Sequence, residues 1–375
     1  MKHDRRFSCL LLSVSIIGIT AIEAGAHQRW NLVRQASYRV PGSVKYVRDV
    51  ARDRSGQLVA LVQEHDTHGF GYVQFFDSDG TPSRQMGKGS IFFGTHLTVG
   101  RPGAVVVSEA TGRPGSGQGP GFRLFERWEE KARLSLTDLG LTDPGNKRAA
   151  QVSGLAMDKS GRIIAAITRH PEHGTGWEVL IAVVDARKRA VETQFVALSL
   201  PNLKGLNRNI GLTARGYEEV GMVRFARGDD GVLYVAYTNE PVIYRYRADG
   251  HLLGKLEVTR SQRQPLSEAI LTDERKTAER FLRAGTTYPL DTLKAYFSAM
   301  VPLPGGRLLV AGPDPLGTGS EVSIFGPTVN GLPSTSMVHL SVFLTPAFSV
   351  GKDDVAVDVE ASEDGFQLVS YRVDK

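Results

Sequence analysis

Six times in this 375-residue chain a glycine turn leads at once into a short apolar run. The turn glycines are Gly56, Gly103, Gly161, Gly231, Gly306 and Gly365, spaced 47, 58, 70, 75 and 59 residues apart. Leu58, Val59 and Ala60 follow the first, Ile163, Ile164 and Ala165 the third, and Leu233, Tyr234, Val235 and Ala236 the fourth. An Asp or Ser just ahead of the glycine caps free backbone amides. The glycine itself takes the left-handed conformation that closes a hairpin. Such self-similarity marks a repeat architecture, and a mean spacing near 62 residues suits a four-stranded propeller blade carrying loop insertions.

The runs are apolar at successive positions rather than at alternate ones. A strand reads that way when both of its faces are covered. A propeller blade is sandwiched between two others, so its middle strands meet that condition. The 41 glycines agree with a turn-rich, all-β chain. Further β-rich stretches follow each run, as at 72–80 and 242–250.

These repeats resemble those of six-bladed β-propellers of the NHL-repeat and TolB-like kind, most fully in the segment from Tyr237 to Gly250. The resemblance implies an all-β, six-bladed ring over residues 27–375. It does not select an activity, because propellers host binding proteins, lyases and lactonases alike. After Gly365 the chain is long enough for about one more strand. Residues 30–40 are β-like and precede the first repeat. They are predicted to pair into the last blade, cover its edge and close the ring, giving that blade three strands or four.

Residues 1–26 read as a secretory signal peptide. Lys2, Arg5 and Arg6 precede an uncharged, mostly apolar run at 10–22, and Ala24 and Ala26 supply small residues for cleavage after Ala26. The expected compartment is the periplasm or the cell exterior of a bacterium, with no transmembrane segment after cleavage. The one cysteine, Cys9, lies within this leader, so the mature chain holds together without disulfides. The formal charge of +5 is mild and dispersed. It offers no basic stripe of the kind nucleic acid requires.

In a blade with strands a to d from the centre outward, the glycine turns read as a–b turns. The b–c loops and d–a connections then share the other face, where function is expected to lie. That face carries the loops at 63–71, 109–121, 169–176 and 312–320, the connection at 201–221 and a long insert at 259–296. Leu266, Ile270, Leu271, Ala278, Phe281 and Leu282 recur at helical spacing within the insert, and Gly285 supplies a stop. The insert reads as a brace on the blade edge, with a lid over the channel as the alternative.

Two of these loops repeat one pattern, His-x-x-His-Gly-x-Gly-aromatic: His65 and His68 before Tyr72, and His170 and His173 before Trp177. Imidazole is a common transition-metal ligand, so the four histidines are candidates for a divalent metal or for gripping a polar ligand. The other reading is a hairpin that both blades need. Blades one and three stand about 120° apart in a six-membered ring, so one ion would not be shared. Lys204, Arg208 and Asn209 form a polar, partly basic stretch on the same face and are candidates for an acidic glycan. The glycine-rich segment at 112–121 lacks the Lys-Ser/Thr that a phosphate cradle needs, and neither Gly-x-Ser-x-Gly nor His-Glu-x-x-His occurs.

The sequence therefore points to an exported, monomeric binding or interaction propeller. Its expected partners are a small molecule, a glycan or an envelope protein. The alternative is a channel-centred, metal-dependent hydrolase of lactonase-like type, or a lyase.

Overall fold

A computed structural model describes residues 31–374 except 43, 54, 65–68, 78, 102, 111–118, 143–149, 171–175, 201–221, 259–262, 284–291, 314–319, 330–331, 341–348, 351–354 and 363–364. The described strands form six antiparallel sheets of four strands each. Blade 1 holds β2 (Val44–Arg52), β3 (Leu58–Glu64), β4 (Phe70–Phe76) and β5 (Pro82–Phe92). Blade 2 holds β6 (Gly94–Val99), β7 (Ala104–Glu109), β8 (Gly121–Glu126) and β9 (Glu129–Ser135). Blade 3 holds β10 (Ala150–Met157), β11 (Ile163–Arg169), β12 (Trp177–Asp185) and β13 (Ala190–Leu200). Blade 4 holds β14 (Val223–Arg227), β15 (Leu233–Tyr237), β16 (Val242–Tyr246) and β17 (Leu252–Glu257). Blade 5 holds β18 (Ala299–Leu303), β19 (Arg307–Pro313), β20 (Ser320–Val329) and β21 (Leu332–Leu340). Blade 6 orders β22 (Ser349–Val350), β23 (Val355–Ser362), β24 (Gly365–Asp374) and β1 (Asn31–Arg39) from the inside out. The innermost strands β2, β6, β10, β14, β18 and β22 contact one another in sequence and return to β2, which closes a six-bladed propeller.

The second strand of each blade shows why its run is apolar throughout. Leu58, Ala60 and Val62 pack with Val359 and Leu368 of blade 6, whereas Val59 and Leu61 pack with Leu97, Val105 and Val107 of blade 2. Ile163, Ala165 and Ile167 face Val106 and Phe122 of blade 2, whereas Ile164 and Ala166 face Val223 and Val235 of blade 4. Side chains alternate between faces, and here each face meets another blade. The core is thus a series of apolar layers between blades.

The N-terminal strand enters the last blade as expected. β1 pairs antiparallel with β24, from Asn31 opposite Asp374 to Arg39 opposite Gln367. The blade is completed to four strands, because the short β22 supplies the inner one. This corrects the role of the sixth glycine. Gly56, Gly103, Gly161, Gly231 and Gly306 lie in a–b turns, but Gly365 follows the b–c hairpin between β23 and β24. Its turn emerges on the opposite side of the ring.

Among its described residues the insert carries one helix, α1 (Glu268–Arg283). Leu266 is buried just ahead of it, and Leu282 is 70% exposed. Gly285 lies outside the described residues. The two arms of the insert are tied to each other: Lys294 N donates to Gln264 O (2.6 Å) and Leu266 N to Thr292 O (3.0 Å). They are also tied to the b–c loop of blade 4 through Tyr296 N to Thr238 O (2.8 Å) and Arg263 Nη2 to Asn239 Oδ1 (2.9 Å). The base of the insert is a brace on blade 4.

Asp158 shows how the turns are locked. Its Oδ1 accepts from Ser160 N (2.8 Å) and Arg162 N (2.9 Å), and its Oδ2 from Arg162 Nε (2.7 Å). Burial alone would raise its pKa, but bonds from the Ser160 hydroxyl and from Arg162 outweigh it and hold the carboxyl at about 2. The unfolded value is 3.8, so this contribution is complete above that pH and is lost as the pH falls toward 2. Asp158→Asn is expected to cost about 1–2 kcal/mol at neutral pH. In denaturant unfolding the gap from the parent should close between pH 4 and pH 2. Gly80 sits at φ +83, and a Cβ there would lie 1.6 Å from Cδ1 of Tyr38 on the closing strand. Gly80→Ala is expected to destabilise the ring by about 2 kcal/mol or more, read from the same unfolding curves.

Candidate functional site

The innermost strands end at Arg52, Val99, Met157, Arg227 and Leu303, paired with Leu58, Val105, Ile163, Leu233 and Arg307 of the next strand. Opposite the residue five places beyond each turn glycine stand Asp49, His96, Gly154, Arg224 and Ala299. These positions are equivalent in the five blades, so they form one layer around the central channel. Among these five positions Asp49, His96 and Arg224 are the polar ones, and they come from blades 1, 2 and 4.

Local structure turns the first two toward each other. The register of β2 shifts between Val47 and Asp49, that of β6 between Gly94 and His96, and that of β10 between Val152 and Gly154. Each shift is a bulge just ahead of the layer, and bulges re-aim the side chains beside them. The extra residues are Arg48, Thr95 and Ser153. Each is tied to the second strand of its own blade: Arg48 Nη2 to Gln63 Oε1 (2.6 Å), Thr95 Oγ1 with Ser108 Oγ (2.8 Å) and Ser153 Oγ with Thr168 Oγ1 (2.7 Å). The third blade has Gly154 in the layer because a Cβ there would meet Phe225 Cβ at 2.4 Å.

The layer also joins the blades. Asp49 Oδ1 accepts from Val50 N (2.9 Å), and Asp49 Oδ2 accepts from Leu97 N of blade 2 (2.8 Å). The His96 ring hydrogen-bonds the backbone of Val152 in blade 3. Between His96 Nδ1 and Asp49 Oδ2 the gap is 3.9 Å, beyond hydrogen-bond reach. The two side chains lie deep in the ring yet keep 25% and 22% of their surface exposed, because they face the channel.

Burial drives the titration of both groups. It pushes Asp49 up to about 7, against the pull of the Leu97 and Val50 amides and of Arg224. It pushes His96 down to about 4, assisted by the Arg224 charge and opposed by the Val152 bond. At neutral pH the layer therefore holds a guanidinium, a neutral imidazole and a carboxyl near its midpoint. Such a set can receive an anion at Arg224 and exchange hydrogen bonds at the other two.

Most of the candidates read from the sequence are not among the described residues. His65, His68 and His173 fall outside the described residues, as do Lys204, Arg208 and Asn209. His170 is described. Its ring lies 3.8 Å from that of Trp177, and its Nδ1 is 2.8 Å from Gly176 O. Both contacts stay within its own hairpin. Among the described residues, no three His, Cys, Asp or Glu side chains gather into a metal-binding group.

Asp49, His96 and Arg224 were not singled out by sequence pattern, although a signal exists. Each stands seven residues before a turn glycine, Gly56, Gly103 or Gly231. Gly154 keeps the same distance from Gly161.

No protein-family model matches the chain, and no curated protein matches it. Solved structures match in architecture. A member of the DUF4221 family from Bacteroides vulgatus is 9% identical with a TM-score of 0.50, over 93% of this chain and 99% of that one. A protein of unknown function from Bacteroides thetaiotaomicron is 14% identical with a TM-score of 0.49, over 92% of this chain and 76% of that one. Virginiamycin B lyase from Staphylococcus aureus is 10% identical with a TM-score of 0.45, over 92% and 99%. Identities this low show a shared fold alone.

The two shifted groups oppose each other in stability. Folded Asp49 keeps its proton up to about 7 and the unfolded group loses it near 3.8, so its contribution falls as pH rises across that window. Folded His96 stays neutral down to about 4 and the unfolded group protonates near 6.5, so its contribution falls as pH drops across that window. Asp49→Asn is expected to unmask the second effect, with stability declining from pH 6.5 to pH 4 more steeply than in the parent. His96→Gln should unmask the first, with stability declining from pH 4 to pH 7. Imidazole NMR of the parent should place the His96 midpoint near 4.

Proposed function

We propose that this chain is an exported binding propeller that holds a small, polar, negatively charged ligand at the centre of its ring. One observation carries the reading: Asp49, His96 and Arg224 reach one channel layer from three separate blades. Groups brought together by closure of a ring form a site that no single blade contains. Arg224 supplies the anion contact, and His96 and Asp49 select among ligands by hydrogen bonding. Export is inferred from the leader-like segment at 1–26, with cleavage expected after Ala26, and the compartment it supports is the periplasm or the cell exterior. The resemblance of the repeats to the NHL and TolB-like kind is compatible with such a role. Within this reading the ligand is a free small molecule or the acidic unit of a glycan. An envelope protein would instead dock over the rim.

A second reading is favoured by the Asp49–His96 pair itself. Two titratable groups in a channel, with pKa values pushed apart in opposite directions, are the arrangement used for acid–base chemistry. It corresponds to the lactonase-like or lyase alternative.

The test is a thermal-shift screen with small carboxylates, sugar acids and phosphate esters. A true ligand at 100 times its Kd should add about 2.7 kcal/mol of stability. Arg224→Met is expected to weaken binding by about tenfold or more. A shift that survives Arg224→Met, or no shift across the panel, would overturn the binding reading. Turnover of a bound lactone or ester that is lost in Asp49→Asn would favour the enzyme.

A further inference from the structure

The face that carries the a–b and c–d turns holds a groove of about 670 Å³ between blades 2 and 3. It lies outside the channel layer and shares no residue with it. Val106, Leu124, Ala132 and Met157 form an apolar floor. Six cations stand around that floor: Arg101, Lys131, Lys159, Arg162, Arg187 and Arg189. Only three carboxylates join them, Glu126, Asp158 and Asp185.

The carboxylates are already engaged. Glu126 Oε1 accepts from Arg101 (3.0 Å), Asp158 is locked within its own turn, and Asp185 Oδ1 accepts from Arg187 N (2.9 Å) while Oδ2 lies 3.2 Å from Lys188 Nζ. Glu129 and Glu192, just outside the lining, pair in turn with Lys131 and Arg162, so the positive excess that remains is carried chiefly by Arg187 and Arg189 on the turn. Two comparable grooves between other blades are balanced. Between blades 3 and 4, in about 410 Å³, Arg162 and Arg247 face Asp230 and Asp249. Between blades 6 and 1, in about 450 Å³, Arg52 faces Asp77.

A second observation points to the same place. Arg189 closes the c–d turn of blade 3 at φ +54, a left-handed conformation that glycine adopts without strain and arginine does not. Arg127 and Trp128 do the same in the c–d turn of blade 2, beside Glu126, whereas Gly56, Gly161 and Gly231 supply the left-handed positions in other turns of this face. A strained residue at a groove rim is a pointer to function.

We propose that this groove is a second binding site, for a small amphiphilic anion with a carboxylate or phosphate head and an apolar tail. The tail lies on Val106, Leu124 and Met157, and the head meets Arg187 and Arg189 on the exposed turn. The volume suits a ligand of that size. Charge selects the head and contributes most at low salt.

Calorimetric titration of the whole chain with octanoate, octyl phosphate and octyl glucoside tests this. Octanoate and octyl phosphate are expected to bind about tenfold or more tightly than the neutral glucoside, and to weaken as salt rises. Whichever of the two anions binds more tightly identifies the head. Arg187→Glu with Arg189→Glu should weaken the anions about tenfold and leave the glucoside unchanged. Arg189→Gly keeps the turn and removes the strained cation, so it should lower anion affinity while leaving Tm no lower than in the parent. Equal binding of glucoside and anions, no binding of either anion, or anion affinity unmoved by the double variant would overturn the proposal.

Discussion

A strand that is apolar on both faces cannot rest in a sheet with one wet side. β3, β7 and β11 are all of this kind, and the structure follows from covering them. Leu58, Ala60 and Val62 need a neighbour on one side, and Val59 and Leu61 need one on the other. A row of blades would leave the first and the last uncovered. A ring leaves none, and β1 removes the remaining edge by pairing with β24.

The closed ring also creates its own interior. Each blade presents one inner strand to the channel, and the repeat keeps those strands in register with one another. Whatever side chain stands at the layer position is thus carried to a common centre. Asp49, His96 and Arg224 are 47 and 128 residues apart along the chain, and they meet because their blades are built alike. The same geometry sets their chemistry. Burial within the ring raises the carboxyl and lowers the imidazole, whereas channel exposure keeps both within reach of a solute.

Much of the architecture was legible in the residues. The glycine turns, the unbroken apolar runs and the β-like start each state a local requirement, and together they specify a six-bladed ring closed by its N-terminal strand. The sixth turn misled because its local chemistry is the same in an a–b and a b–c hairpin. Gly365 and Gly161 read alike, and only the pairing of β22 with β23 tells them apart. The site was less legible. The paired histidines at 65, 68, 170 and 173 are conspicuous in the sequence, but the described one, His170, has its ring bonded within its own hairpin. Asp49 sits among ordinary polar strand residues and carries no local mark.

By itself the sequence determined which segments are strands, where they turn and that both faces of the middle strands must be covered. Those are properties of neighbouring residues: φ preferences at glycine, capping of the turn by Asp158, and the run of side chains along one strand. Only the tertiary structure decided which side chains share the channel layer and how their protons are held. It also decided which groove between blades is left with surplus positive charge. Those properties depend on distances between blades and on the water excluded when the ring closes, and neither is set until the last strand is in place.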